Sequence, residues 1–487
     1  MNLNAKLIRK LTGLMLLIMA AFMIPTLLIA VLYREYSELR VFASIFAAVA
    51  FCGSVLFWPL RRETHQIKAR EGFFVVTFCW VLTALLCALP YFFTGVLPNF
   101  VDAFFEATSD VTTTGINLIS HPERLPHTIL FWRSLINWVG GLGILLLVIT
   151  ILPALGIGTS NLANAETMGS GIDKYRMRIS ENAKYVYRTY IGLTLLEFLC
   201  LLLAGMDPFH AMSNAFSSIS NCGVVDHSIG IRLYDNFFVE LIITVFCIFG
   251  SLNFSTLQLP LRRRFKEFFG DPEIRIYSTV LVTVYVLVIL TLWQSGTYDG
   301  LGGTLKNSTL QIFSFTTTAG YSVTDYGSWP TFCRMILFFV VFIGGCSAST
   351  AGGLKVSRFA ILLMLIRRNF YKRLHPNAVF AVKIGNRAIP ADKVSNITVT
   401  AILYSMIFAG SCILLSLDGL DLETTIGSVL AALSNTGLGW GATGYGNTFA
   451  VFSEGGRLLL TLLMFIGRLE IFAVFLLFTP SFWKRNN

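Results

Sequence analysis

Charge is what this chain has least of. Only 13% of its 487 residues are Asp, Glu, Lys or Arg, about half the ~25% of a soluble domain. That excludes a string of soluble domains. Disorder is excluded by the opposite excess: 55% of residues are hydrophobic and 42 are Phe, whereas disordered segments are poor in both classes. Mean hydropathy is +0.69. Recognisable catalytic chemistry is missing too. The six His are scattered, and the nine Cys are odd in number and irregular in spacing. They form neither a disulfide framework nor a metal pairing, and read as small apolar residues. There is no Walker A sequence, HExxH or nucleophile elbow. The stretch Gly439-Trp440-Gly441-Ala442-Thr443-Gly444 fits a dinucleotide string, but no βαβ unit surrounds it. An enzyme is therefore not expected, nor an organic cofactor. The net charge of +10 falls between apolar runs, which points to membrane topology rather than nucleic acid.

Ten apolar runs of roughly 20 residues, the length that crosses a bilayer core, are expected to span. They are 11–33, 41–60, 72–93, 134–153, 189–206, 241–260, 276–295, 335 onward, 394–417 and 458–483. The first holds 23 uncharged residues, too long for the apolar core of a signal peptide, which has roughly 7–15. The termini and the loops 61–70, 155–188, 262–275 and 355–393 carry 28 of the 37 Lys and Arg. The positive-inside rule puts them, and both termini, in the cytoplasm. The outer loops 95–128, 207–235, 297–330 and 418–454 hold 13 acids against three bases. An acidic mouth concentrates cations; acids kept away from the cytoplasmic side give the same count.

Each outer loop contains one related stretch: DAFFEATSDVTTTG (102–115), HAMSNAFSSISNCG (210–223), NSTLQIFSFTTTAG (307–320) and TTIGSVLAALSNTG (424–437). They align without gaps and all end in Gly. A span precedes each and another follows, the latter carrying Trp138-Val139-Gly140, Ile248-Phe249-Gly250, Phe342-Ile343-Gly344 or Phe465-Ile466-Gly467. The expected architecture is an all-α polytopic membrane protein: a leading hairpin (1–68) and four parallel repeats (69–178, 179–268, 269–388, 389–487) around one pore. About ten helical residues reach only ~15 Å, so the middle segment is re-entrant. Non-helical backbone at that depth is tolerated where it lines a water-filled cavity. Four loops facing one axis would stack oxygen rings that replace the hydration shell of an alkali cation. Gly permits the φ > 0 that aligns successive carbonyls. The helix C-termini add partial negative charge.

Two features lie within later spans. Arg468 sits mid-span, where an Arg costs about 2.5–3.5 kcal/mol on insertion scales. It needs a partner: loop carbonyls, or a helix-packing ion pair. Glu470, two positions on, is off its face. The run Gly344-Gly345-Cys346-Ser347-Ala348-Ser349-Thr350-Ala351-Gly352-Gly353 has no large side chain. It is either a break in the helix, at ~1 kcal/mol per Gly, or a close-packing face. Glu197 reads as an interhelical hydrogen-bonding group, and Glu106 and Asp110 as residues that attract ions.

In these repeats the chain resembles the Trk/Ktr/HKT superfamily of potassium-translocating proteins, nearest to its TrkH-type membrane subunits. The resemblance rests on Thr113-Thr114-Gly115-Ile116, Asn221-Cys222-Gly223-Val224, Thr318-Ala319-Gly320-Tyr321 and Asn435-Thr436-Gly437-Leu438. It implies that these loops are a selectivity filter for K⁺ and Rb⁺. In the family, Ser at the first-repeat glycine goes with Na⁺ permeation, so Gly115 implies preference for K⁺. It further implies that 344–353 is an intramembrane gate and that Arg468 is a barrier below the filter. A homodimer with one pore per subunit, a bacterial inner-membrane location and a cytoplasmic TrkA-like ring of nucleotide-binding RCK domains are implied likewise. The basic loops 155–188 and 355–393 suit either that ring or anionic lipid. The rival expectation is proton- or sodium-coupled symport, for which the midplane offers few titratable groups.

Overall fold

The computed structural model of the chain describes residues 4–62, 69–146, 172–375, 382–384, 387–469 and 471–480. Helices dominate. The one strand pairing among the described residues is the short hairpin Lys383–Ile384 with Arg387–Ala388. Ala5–Leu32 and Tyr36–Phe57 form the leading helical pair. They close on small residues: a Cβ on Gly13 would lie 2.6 Å from the Phe57 amide nitrogen. The pair docks on the first repeat through its turn. The Tyr33 and His127 rings stack at 4.0 Å, and the Glu35 carboxylate accepts the His127 and Thr128 amides, both at 2.8 Å. That carboxylate thereby caps the start of His127–Leu146.

Each of the four units then runs span, short helix, span. The first spans are Ala69–Phe93, Ile172–Leu203, Pro272–Gln294 and Ala391–Leu415. With the hairpin they account for the six described helices long and apolar enough to cross a membrane. The chain is thus a multi-pass membrane protein. The short middle helices are Phe100–Val111, Pro208–Ile219, Gly300–Thr316 and Leu422–Leu433. Three have 12 residues and the third has 17. At 1.5 Å per residue even the longest falls short of a ~30 Å core. Asn99, Asp207 and Asp421 cap three of them with side-chain bonds to backbone amides. The C-terminal halves of these helices are buried on nearly every face, as a central helix must be. Phe105, Ala107, Ala215, Ile312 and Val429 have no exposed surface.

The second spans depart from expectation. The run 241–260 is not one helix: Phe237–Ser251 stops and Leu252 is extended. Thr331–Ile343 stops at Gly344, whose φ is +75°. At 15 and 13 residues these helices reach only ~20 Å. The two breaks are one feature, because they bond to each other. Cys346 N donates to Ser251 O at 3.0 Å, Thr350 N to Gly250 O at 3.1 Å and Phe254 N to Ala348 O at 3.3 Å. The expected runs 134–153 and 458–483 extend beyond the described residues, as does Glu470. What is described there is His127–Leu146, Glu454–Leu469 and Ile471–Phe478.

Candidate functional site

All four short helices end in the same way. The residue two before each repeat-ending glycine has left-handed backbone: Thr113 at φ +53°, Asn221 at +52°, Thr318 at +55° and Asn435 at +49°. The next residue's amide donates back into the helix: Thr114 to Ser109 O (2.8 Å), Cys222 to Ser217 O (3.0 Å), Ala319 to Ser314 O (2.8 Å) and Thr436 to Ala431 O (3.0 Å). This is a Schellman-type helix stop. Its left-handed position usually takes Gly and sometimes Asn, and the β-branched Thr113 and Thr318 are uncommon there. The repeat-ending glycines follow at φ +81° (Gly115), +66° (Gly223), +81° (Gly320) and +74° (Gly437). Sequence reasoning anticipated the second turn and missed the first, whose only signal was the Thr/Asn pattern.

Those glycines meet. A Cβ on Gly115 would fall 2.0 Å from the Cys222 carbonyl oxygen. One on Gly223 would fall 2.3 Å from the Ala319 oxygen, one on Gly320 2.7 Å from the Thr436 oxygen, and one on Gly437 2.4 Å from the Thr114 oxygen. Loop 1 abuts loop 2, loop 2 abuts loop 3, loop 3 abuts loop 4 and loop 4 returns to loop 1. The four stretches form a closed ring in chain order. Their fourth residues point away: Ile116, Val224, Tyr321 and Leu438 are all buried. The Tyr321 hydroxyl donates to Asn214 O at 3.4 Å, bracing loop 3 on the second short helix. What the ring presents inward is backbone, the donor set suited to a dehydrated alkali cation.

Above the ring opens a funnel whose floor includes Gly115, Gly223, Gly320 and Gly437. Among the described residues lining it there is no Asp or Glu, so the outer acids do not form its wall. They have local work instead. Asp102 pairs with Arg457 at 2.7 Å, Asp235 with Lys306 at 3.0 Å and Glu423 with Arg334 at 2.9 Å. Glu123 accepts Ser228 N at 2.9 Å, tying outer loop 1 to outer loop 2. Bonds from its own backbone and from Ser228 hold that exposed carboxyl down to about 2. Glu106 and Asp110 lie buried behind the ring, Glu106 paired with Arg133 at 2.7 Å and Asp110 accepting the Tyr91 hydroxyl at 2.6 Å. Glu197 accepts the Ser218 hydroxyl at 2.5 Å, an interhelical bond. The 439–444 stretch holds a 3₁₀ turn, Gly441–Thr443, and Gly439 and Gly444 line the funnel.

Beneath the ring, 344–353 leaves the helix and crosses under three repeats. The Thr350 hydroxyl lies 3.0 Å from Ile219 O and 2.9 Å from Gly250 O. Gly352 N donates to Thr318 Oγ1 at 2.7 Å and Gly353 N to Ser434 O at 3.0 Å. Gly352 is indispensable to this fit, since a Cβ there would sit 1.7 Å from Ser434 O. The Ser347 and Ser357 hydroxyls lie 2.5 Å apart and Ser349 Oγ donates to Cys346 O at 2.5 Å. Cys346, Ser349 and Ala351 are buried, and Ala348 is exposed. Arg468, 5% exposed, completes the floor. It donates through Nη1 to Thr350 O at 2.7 Å and through Nη2 to Gly140 O at 3.4 Å. Its partners are carbonyls of the loop and of repeat 1. The Lys355 ammonium donates to Ala351 O, so it turns back on the loop rather than outward.

Known proteins carry the same chain plan. A family described as a cation transport protein, TrkH, matches residues 38–485. The Trk system potassium uptake protein TrkH of Salmonella typhimurium is 36% identical over 481 residues, covering 98% of this chain and 99% of that one. TrkG of Escherichia coli K12, also named a Trk system potassium uptake protein, is 31% identical over 99% of both chains. The crystal structure of the potassium transporter TrkH from Vibrio parahaemolyticus superposes with a TM-score of 0.89 at 32% identity, covering 99% of this chain and all of that one. Near-complete coverage, paired spans and the four-loop ring agree: the chain belongs to the TrkH family of cation transport proteins.

Proposed function

We propose that this chain is the ion-conducting subunit of a potassium uptake system in the bacterial inner membrane, selective for K⁺ and Rb⁺ over Na⁺. The observation that carries the reading is the closed ring of four glycine-turned loops presenting backbone toward one funnel. Relatives named as potassium uptake proteins supply the substrate class. Residues 113–116, 221–224, 318–321 and 435–438 hold the dehydrated cation through carbonyl oxygens. The 344–353 loop is the gate and Arg468 its latch, placing a positive charge on the cation path. The functional unit is a homodimer with one pore per chain and both termini cytoplasmic. The basic loops 155–188 and 355–393, of which 155–171, 376–381 and 385–386 lie outside the described residues, dock a TrkA-like ring whose RCK domains sense nucleotide and move the gate.

The test is tracer Rb⁺ uptake into liposomes holding the purified chain, with a K⁺ gradient and no proton or sodium gradient. Uptake that follows the K⁺ diffusion potential and is poorly competed by Na⁺ supports a passive selective pore. Uptake only after a proton or sodium gradient is imposed makes the protein a coupled symporter and the ring its binding site. If the gate is held shut without a partner, removal of 347–351 restores uptake; silence in that variant too removes the pore reading.

A further inference from the structure

Three of the four repeats share a buried tether, which repeat 1 alone builds from charge; in repeat 2 the Asn214 amide bonds instead to His210 O of its own helix. Nine residues before each ring glycine stand Glu106, Asn214, Gln311 and Ser428. In repeat 3, Gln311 Oε1 accepts Val323 N at 2.8 Å and Nε2 donates to Tyr321 O at 3.2 Å. In repeat 1, Glu106 Oε2 accepts Leu118 N at 2.8 Å, the residue that aligns with Val323. In repeat 4, the Ser428 hydroxyl reaches Thr443 Oγ1 at 3.0 Å. The strand leaving the ring is thus pinned to its own short helix in each of these repeats.

Only Glu106 is ionic, and it faces Arg133 at 2.7 Å, the two side chains being 0% and 3% exposed. Arg133 stands seven residues before Gly140. The matching positions before Gly250, Gly344 and Gly467 are Ile243, Leu337 and Leu460, all buried and apolar. Arg133 also lines the funnel floor beside Gly115, and no other Arg or Lys does among the described residues lining it. A bare guanidinium there would repel the cation that the ring must admit. Rigidity alone could be had from an amide, as Gln311 shows.

We propose that Glu106 is a positioning and charge-compensating residue for cation selection: it pins the strand after Gly115 while cancelling Arg133 at the funnel floor, so that the pair, not either residue alone, sets K⁺ over Na⁺. The assignment rests on the K⁺-selective reading of the ring. Glu106→Gln separates the two duties, because Gln keeps an acceptor for Leu118 N and loses the charge. Breaking a buried pair from one side leaves an uncompensated charge, whereas replacing both partners is often near neutral.

The experiment compares wild type, Glu106→Gln and Glu106→Gln/Arg133→Gln as purified full chains in liposomes. It reads tracer Rb⁺ uptake and the ratio of Na⁺ to K⁺ needed to halve it. Glu106→Gln is expected to slow uptake by roughly tenfold or more and to lower that ratio, and the double variant to recover both to within about threefold of wild type. Should Glu106→Gln fail to fold, a folded and selective double variant still supports the pairing. Wild-type behaviour in Glu106→Gln overturns it, and so does a double variant no better than the single. A wild type that carries no selective Rb⁺ flux, even with the gate loop removed, fails one step earlier, at the transport reading, and takes this assignment with it.

Discussion

Repeat 3 and repeat 4 start from the same plan and end differently. In repeat 4, Gly467 presses its bare Cα on the last turn of its own short helix, where a Cβ would lie 2.2 Å from Leu433 O. Gly140 does the same to Val111 O at 2.1 Å and Gly250 to Ile219 O at 2.8 Å. In repeat 3 the matching Gly344 turns at φ +75° and its nearest neighbour is Gly352 O of its own loop. The third helix stops at that glycine, and its chain runs beneath the ring, where it bonds to the break after Ser251 in repeat 2. Repeat 3 thus departs from the fourfold plan by ending its helix at the shared glycine, and the proposed gate is built from that departure. Its contacts reach Ile219, Thr318 and Ser434, at the ends of the second, third and fourth short helices.

Substitutions can sharpen that contrast, the largest effect first. Gly352→Ala places a methyl 1.7 Å from a backbone oxygen that cannot yield. The loop should come away from repeat 4, and Rb⁺ leak through the isolated chain should rise by about tenfold or more, since each ~1.4 kcal/mol is worth a factor of ten. An unchanged leak would show that the loop does not obstruct the path. Gly115→Ser adds a side chain at φ +81° and 2.0 Å from Cys222 O. Na⁺ should then enter, visible as Na⁺ competing with Rb⁺ at near-equal concentration. If the K⁺ preference persists, the ring is not the selective element.

Arg468→Ala removes the bonds to Thr350 O and Gly140 O. A hydrogen bond to a charged group is worth about 1.5–3 kcal/mol, so basal flux should rise by about tenfold while selectivity stays. Loss of folded protein would instead give Arg468 a packing role. Glu35→Gln should act only on the docking of the leading hairpin. Burial raises the Glu35 carboxyl, but bonds from Thr128 and His127 outweigh it and hold it below its ordinary value. Its contribution is therefore full above the ordinary Glu value and is lost as pH falls through the lowered folded value. The wild type should melt above the variant at neutral pH, with the gap closing in acid. A constant gap would mean that the ionised form has no special part. Gly410→Ala is the smallest expected change. Gly410 lies inside Ala391–Leu415 with nothing within 4 Å of its added Cβ, so flux should be unaltered and stability should gain up to ~1 kcal/mol.

The ring was legible because its signal is repetition. Four Gly-ended stretches in register between paired apolar runs seldom arise by chance, and the aligned glycines do turn at positive φ. The span at 241–260 was misread because hydropathy runs on through Leu252, and only the bonds from 346, 348 and 350 show why the helix stops. The outer acids were legible only as a count. Their partners, such as Arg457, Lys306 and Arg334, are set by the tertiary structure.

By itself the sequence determined most of the spans, the fourfold plan and the glycine turns of the ring, because bilayer thickness and backbone conformational freedom act on local runs of residues. Only the tertiary structure decided which carbonyls Arg468 meets, that Glu106 belongs to Arg133, and that one glycine in four ends its helix. Those outcomes depend on which groups are buried together, and residues 106 and 133, or 140 and 468, are brought to one place only when the whole bundle closes.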